Sequence, residues 1–577
     1  MKLKQLSAVM CAGFLATTGF AACGKGTDPN IDPTKTQLYV NTYDGGVGYN
    51  WLEALARDFE KEYENYHFAD GKTGVQVHTD ATRNNTSSQL MANMKSSEYS
   101  ISIAEEFYYV HCMANDLLYN LDEIVDKPLS DGSGTIKSKM YDEQKEYFTE
   151  YDGSYYELPW TTMINGVTYD AGLFEEKGFW FADVDGVKPF ANSTYTGKAY
   201  TGRGFVFGDN QKKSCGPDGA YNTLDDGLPS SYEEFFYLLD YMVGRKETNP
   251  MIYTGASTHY LSYMWESLLM SWAGKEEMST HFTFDSNGKT VPVVTNWAED
   301  ATEPTIENVV ITKDNGYMIK QHEAFYYTLK FLKHLYGNDS YFYAGSHSKS
   351  FTNLAAQTIF IESRFNPDYN AIGMLIEGGY WYNEATSALL ESEIYGAKAK
   401  NRDFRMMVLP GVELGTVNEG KGKPTAASTS MEYRLLVNNN IKGDAEKEEV
   451  VEKFLLFAYE DEQLRQTTAL SGLPMSMKYE MDQDTYDSMD NYKQSLWDVY
   501  DAAKDGGNYL EPVGGNKIYL NNPVQFAFST QTDFFASVIG GLKETKLRDV
   551  FKSGKSVRDY LLGMAISETT WNSVYNK

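Results

Sequence analysis

A strand, a glycine-rich turn and a helix follow one another early in the chain, and that order constrains the architecture more than any other feature. Gln37-Leu38-Tyr39-Val40-Asn41-Thr42 reads as a strand, and Asp44-Gly45-Gly46-Val47-Gly48 as a turn. Leu52, Leu55, Ala56 and Phe59 then recur at helical spacing between about Asn50 and Tyr63. Val75-Gln76-Val77-His78 is a second strand, Ser87 to Met94 starts another helix, and Ser100-Ile101-Ser102-Ile103-Ala104 is a buried-looking strand. This alternation predicts an α/β fold built on a parallel sheet. A chain of 577 residues is too long for one compact core, so two or more domains are expected.

Further along, residues 180–229 are rich in Gly, Asp and Asn and read as an insertion, and 275–320 as an insertion or hairpin. Pro229 to Met242 opens a helix with Ser230 or Ser231 as its cap and Glu233 and Glu234 in the favourable first turn. Helical patterns return at Glu323–Tyr336 and Glu446–Tyr459. The 44 tyrosines pair large apolar faces with hydroxyls, which suits polar ligands and wet interfaces. A formal net charge of −29 repels nucleic acid and anionic headgroups, so no nucleic-acid partner is expected. Cys112 and Cys215 lie far apart without metal spacing; a disulfide between them and two buried thiols both fit the sequence.

The first residues carry an address. Lys2 and Lys4 precede a run of small and apolar residues from Leu6 to Ala22, too short to span a bilayer, which ends in Phe20-Ala21-Ala22-Cys23. The layout resembles the lipobox of bacterial lipoproteins, with Phe20 where leucine is usual. It implies cleavage of the signal peptide 1–22 and lipidation of Cys23. Residues 24–36 (GKGTDPNIDPTKT) then read as a flexible tether. The expected location is the outward face of the cell membrane, held by lipid alone. No apolar run after the signal is long enough to cross a bilayer.

Five ordered stretches resemble the extracellular solute-binding proteins of ABC importers, in their carbohydrate-binding branch. They are NTYDGGVGYNWLEALARDFEKEY (41–63), SISIAEEFYYVHCMANDLLYNLDEIV (100–125), YELPWTTMINGVTYDAGLFEEKGF (156–179), AIGMLIEGGYWYNEA (371–385), and 404–477, from FRMMVLPGVE to SGLPMSM. The resemblance implies a periplasmic-binding-protein-like type II fold, with two hinged α/β lobes about a ligand cleft. Lobe one would comprise 37–162 and 426–510; lobe two would comprise 163–425 and the C-terminal helices of 511–577. It further implies no enzymatic activity, a monomer, a sugar ligand and an ABC permease as membrane partner.

A sugar needs flat rings against its C–H patches and Asp, Glu, Asn or Arg for its hydroxyls. Glu377-Gly378-Gly379-Tyr380-Trp381-Tyr382-Asn383-Glu384 is the strongest such cluster, because two glycines let a turn carry the rings to a cleft. Glu377, Tyr380, Trp381, Tyr382 and Asn383 are the candidates there, and Trp160 at the expected hinge is another. Tyr43, Asp44, Asn50 and Trp51 follow a strand's carboxyl end, where open α/β sheets bind ligands. Glu105 and Glu106 also close a strand; one of them could accept from a sugar hydroxyl, and adjacent residues do not make a catalytic pair.

No phosphate loop, HExxH or GxSxG motif is present, and no cofactor is required. Asp218, Asn222, Asp225 and Asp226 gather in a Gly-rich turn whose oxygens could hold a structural calcium ion, although the spacing is not that of an EF-hand. Aromatic and acidic richness leaves a second class open: a membrane-tethered lipoprotein that binds or cleaves glycans.

Overall fold

The computed structural model describes residues 31–69, 71–81, 87–105, 112–149, 152–183, 193–198, 203–205, 212–245, 247–257, 260–297, 303–392, 394, 402–431, 433–511 and 547–575. Cys23 and Glu106 lie outside them.

Two mixed sheets define two lobes. The first contains β1 (Thr36–Asn41), β2 (Val75–Asp80), β3 (Ile101–Glu105), β4 (Glu157–Pro159) and β14 (Tyr433–Val437), ordered β2-β1-β3-β14-β4. β1 runs parallel to β2 and β3, as strand–helix alternation requires. Leu38, Val40, Val75, Val77, Ile101 and Ile103 alternate along these strands and are buried. Helix α1 (Asn50–Glu62) turns Trp51, Leu52, Leu55, Ala56 and Phe59 inward, one face at helical spacing.

The second sheet is ordered β15 (Tyr509–Leu510), β13 (Ala427–Met431), β5 (Thr162–Asp170), β11 (Ala371–Gly378), β8 (Thr248–Ile252), and β12 (Phe404–Met406) also pairs with β5. All nine residues of β5 are buried, because the strand is central and α3 (Tyr260–Thr283) packs across it and β11. Helix α2 (Tyr232–Val243) packs on β8 and starts where the Ser231 hydroxyl accepts from Glu234 N at 3.2 Å.

Antiparallel strands join the expected parallel ones, so both sheets are mixed. β14 lies antiparallel between β3 and β4, and β13 and β11 run antiparallel to β5. The reason is that the chain passes repeatedly between the lobes. It leaves the first sheet at Trp160-Thr161, returns between β13 and β14, and leaves again after α9 (Asp461–Ser471). The three passages lie side by side: Trp160 N donates to Tyr433 O (3.1 Å), Ser476 N to Trp160 O (2.7 Å) and Thr162 N to Pro474 O (2.9 Å). Residues 427–431 and 509–510, assigned to lobe one on sequence, therefore pair in the second sheet. Helix α10 (Asn491–Asp505), within the same assigned segment, packs on β12.

In the 275–320 segment, residues 275–283 complete α3, and β9 (Thr290–Asn296) pairs antiparallel with β10 (Thr305–Val310). The segment has a small core of its own, in which Phe284, Val291, Val293, Ile311 and Ile319 meet Ile566 and Trp571. Those last two come from the C-terminal end, where α11 (Leu547–Lys552) and α12 (Val557–Met564) pack on α4 (Glu323–Gly337), and α13 (Glu568–Tyr575) follows. Cys112 and Cys215 are free thiols, and burial pushes Cys112 up to about 12. Among the described residues no helix is long and apolar enough to cross a membrane.

Candidate functional site

A cavity of about 730 Å³ opens between the lobes, a size suited to a small-molecule ligand. It sits beyond the carboxyl ends of β1 and β11, where the backbone leaves the sheets and side chains of the following loops converge. Lobe one contributes Tyr43, Asp44, Asn50 and Trp51 with the glycine loop between them, and Leu470 near the end of α9. Lobe two contributes Tyr260, Asn353, Leu354, Tyr380, Asn383, Glu384, Thr386 and Ser387.

The 377–384 cluster reaches the cleft through a turn at Gly379-Tyr380 that runs straight into a short helix. β11 ends at Gly378, Gly379 and Tyr380 turn the chain, and α6 (Trp381–Glu384) is followed by α7 (Thr386–Ser392). Tyr380, Asn383, Glu384 and Ser387 are spaced i, i+3, i+4, i+7 and all face the cavity. Trp381 and Tyr382 point the other way. Trp381 is fully buried between Phe360, Phe404 and Tyr492, and its indole N–H donates to Thr168 Oγ1 at 3.0 Å. Tyr382 packs on Tyr492 at 5.1 Å between centroids. Both were expected as ligand contacts; instead Trp381 is in the core of lobe two and Tyr382 packs half-buried against that core, and neither lines the cavity.

Glu377 is also corrected from a ligand contact to a buried group behind the cleft wall. Its pKa is raised well above the carboxylate range, chiefly by burial and next by the charge of Glu384. Gln357 Nε2 donates to Glu384 Oε2 at 2.8 Å, and Asn353 Nδ2 donates to the same oxygen at 3.1 Å. Helix α5 (Asn353–Glu362) thereby holds Glu384 toward the cavity. Glu384 was quoted in the sequence cluster without a role; its i+4 relation to Tyr380 is the signal that points to it. Tyr260, Asn353, Leu354 and Leu470 come from segments with no local sign of binding.

Trp160 stands at the passage between the lobes and does not line the cavity. It is fully buried, with Trp51 at 5.3 Å and Tyr459 at 5.6 Å between ring centroids. Trp51 is 1% exposed, lines the cavity, and donates from Nε1 to Gly48 O at 2.9 Å, which fixes the glycine loop. Asp44 and Asn50 are exposed to it. Glu105 ends β3 opposite Tyr433.

The lobes touch directly across the cleft. Asn383 Nδ2 donates to Gly46 O (2.9 Å) and to Ser471 O (2.5 Å), both in lobe one. Tyr380, 7% exposed, shares a 3.0 Å hydrogen bond between its hydroxyl and that of Tyr263. Burial pushes the Tyr380 hydroxyl well above its usual range, so it stays neutral.

The 218–226 turn closes on itself. Asp225 accepts from Asp218 N (2.9 Å) and from Thr223 Oγ1 (2.8 Å), Asp226 from Asn222 N (2.8 Å), and Asp218 from Ala220 N (2.7 Å). The carboxylates serve the loop's own donors, and among the described residues no group of three or more His, Cys, Asp or Glu is placed to hold a metal ion. The four residues expected as calcium ligands therefore sit in an internally bonded turn.

Against solved structures, the substrate-binding protein RafE in complex with raffinose aligns over 94% of this chain and 98% of its own, with TM-score 0.50 at 12% identity. The apo-form of RafE from Streptococcus pneumoniae aligns over 95% and 98%, again with TM-score 0.50 at 12% identity. The chain has the fold of a solute-binding protein. The GacH receptor of Streptomyces glaucescens GLA.O aligns over 94% and 99%, with TM-score 0.49 at 13% identity. No family model and no curated protein sequence matches the chain.

Proposed function

We propose that this protein is a lipid-anchored receptor that captures an extracellular solute, a sugar or oligosaccharide, and hands it unaltered to an ABC importer. The observation that carries the proposal is the interlobe cavity. Rings of Tyr43, Trp51, Tyr260 and Tyr380 stand beside the polar groups of Asp44, Asn50, Asn353, Asn383 and Glu384, the pairing of flat apolar faces with hydroxyl partners that a sugar requires. The shared fold with RafE, whose complex holds raffinose, supports the ligand class. Cys23 after a short apolar leader supports export and tethering, with the protein acting as a monomer outside the cell.

Two carboxylates line the cavity, Asp44 on lobe one and Glu384 on lobe two, while Glu377 is sealed behind the wall, so product analysis separates binding from cleavage. The test is a thermal-shift screen of the full chain against mono- and oligosaccharides including raffinose, with chromatography of each ligand after incubation. A stabilising sugar recovered intact is the expected result. New shorter sugars, or no response to any saccharide while a peptide or polyamine stabilises the protein, would overturn the assignment.

A further inference from the structure

The carboxyl end of α9 belongs to lobe one, where the helix packs on α1 and on α8 (Ala445–Ala458). A helix leaves its last four carbonyls without partners inside the helix. Here all four are accounted for, and only one of them locally. Gly472, in the left-handed conformation at φ +76°, returns its N–H to Thr468 O at 2.7 Å. Lys493 Nζ donates to Ala469 O (3.0 Å) and Leu470 O (2.7 Å), and Asn383 Nδ2 donates to Ser471 O.

The donors to the other three carbonyls come from lobe two. Asn383 is on α6. Lys493 is in the first turn of α10, a helix fastened to lobe two where Ser495 Oγ receives Met406 N (3.0 Å) and the Tyr492 and Thr168 hydroxyls meet at 3.2 Å. The fit is close. A Cβ on Gly472 would lie 2.8 Å from Lys493 Cγ, so the glycine gives the lysine stem its path over the helix end. A cation on the negative end of a helix dipole is favourable in both charge and hydrogen bonding.

We propose that Lys493 and Asn383 are positioning residues forming an interlobe latch, which docks lobe two on the carboxyl end of α9 and holds the cleft shut before any solute arrives. The latch releases without a large penalty, because water satisfies three exposed helix-end carbonyls once the lobes part. It sets how often an empty receptor opens, and its meaning for capture rests on the cleft being the solute site.

The experiment is small-angle scattering of the full, solute-free chain and of Lys493→Met, Asn383→Ala and Lys493→Arg. Each of the first two is expected to lower the closed-to-open ratio about tenfold and raise the radius of gyration, as loss of one such contact implies. Lys493→Arg, which keeps a cation for the same carbonyls, should stay compact. Circular dichroism identifies any variant that has merely unfolded, and the other donor's variant then decides. Unchanged scattering from folded Lys493→Met and Asn383→Ala, or an Arg variant as open as the Met variant, would overturn the latch. Failure of every sugar to bind would overturn the receptor assignment and leave the scattering comparison intact.

Discussion

Gly46 of lobe one lies directly against Tyr380 of lobe two, so close that a Cβ placed on the glycine would stand 2.5 Å from the Tyr380 Cβ. The glycine loop therefore has a steric role in closure. Gly46→Ala is expected to prop the lobes apart and weaken solute binding about tenfold, a cost of about 1.4 kcal/mol, with little change in melting temperature. Calorimetric titration with the sugar found by thermal shift checks this. Unchanged affinity would show that the lobes absorb the methyl group.

Trp381 offers the opposite contrast. It is sealed among Phe360, Phe404 and Tyr492. Trp381→Ala should destabilise the fold by about 3–5 kcal/mol, the usual range for emptying a large aromatic site. Protein that remains folded should bind solute with near-normal affinity. Chemical denaturation together with titration separates the two effects; selective loss of binding at full stability would place the ring in the site after all.

Glu384 is positioned by Gln357 and Asn353 and faces the cavity. Glu384→Ala is expected to reduce affinity about tenfold, the loss of one strong hydrogen bond to a ligand hydroxyl. Its far-ultraviolet circular dichroism should match the parent. An affinity equal to the parent's would remove Glu384 from the binding set.

Two buried groups predict a stability minimum near neutral pH. Burial raises Glu157, on the strand leading into the hinge, from 4.5 to about 7, against the pull of Arg434. The folded state then holds a proton that the unfolded chain releases, so its contribution is present below pH 4.5 and is lost as pH rises to about 7. Burial lowers Lys320 from 10.5 to about 7, so its contribution is present above pH 10.5 and is lost as pH falls to about 7. Urea denaturation across pH, compared between the parent, Glu157→Gln and Lys320→Met, should show each variant flattening its own arm. Parallel curves would refute the assignment.

The 218–226 turn predicts indifference to calcium. Its carboxylates already accept from Asp218, Ala220, Asn222 and Thr223. Neither millimolar Ca²⁺ nor EDTA should move the melting temperature, and a reproducible shift in opposite directions would restore a metal to the loop.

Much of this architecture was legible in the amino-acid order because local chemistry dictated it. Helical spacing between about Asn50 and Tyr63 marked α1, observed at Asn50–Glu62, one of the two candidate serines, Ser231, caps α2, and Tyr43, Asp44, Asn50 and Trp51 after β1 line the cleft. The phase of residues 380–384 was not legible. Three adjacent aromatics look equivalent until the backbone after Gly379 is known to be helical, and one turn of helix then divides Tyr380 from Trp381 and Tyr382. Tyr260, Asn353, Leu354 and Leu470 reach the site only through tertiary packing, which leaves no mark in their own neighbourhoods. The antiparallel strands likewise arise from chain passages between lobes, a long-range property.

The place of β14 between β3 and β4 has a consequence for biosynthesis. Strand β4 has no neighbour in its sheet until residues 433–437 have been made, roughly 270 positions later, and β3 keeps a bare edge meanwhile. At ordinary translation speeds that interval is on the order of tens of seconds. An unpaired strand edge invites association with other chains. The newborn polypeptide therefore carries unpaired strand edges through much of its synthesis, and its first lobe is completed only after most of the second exists.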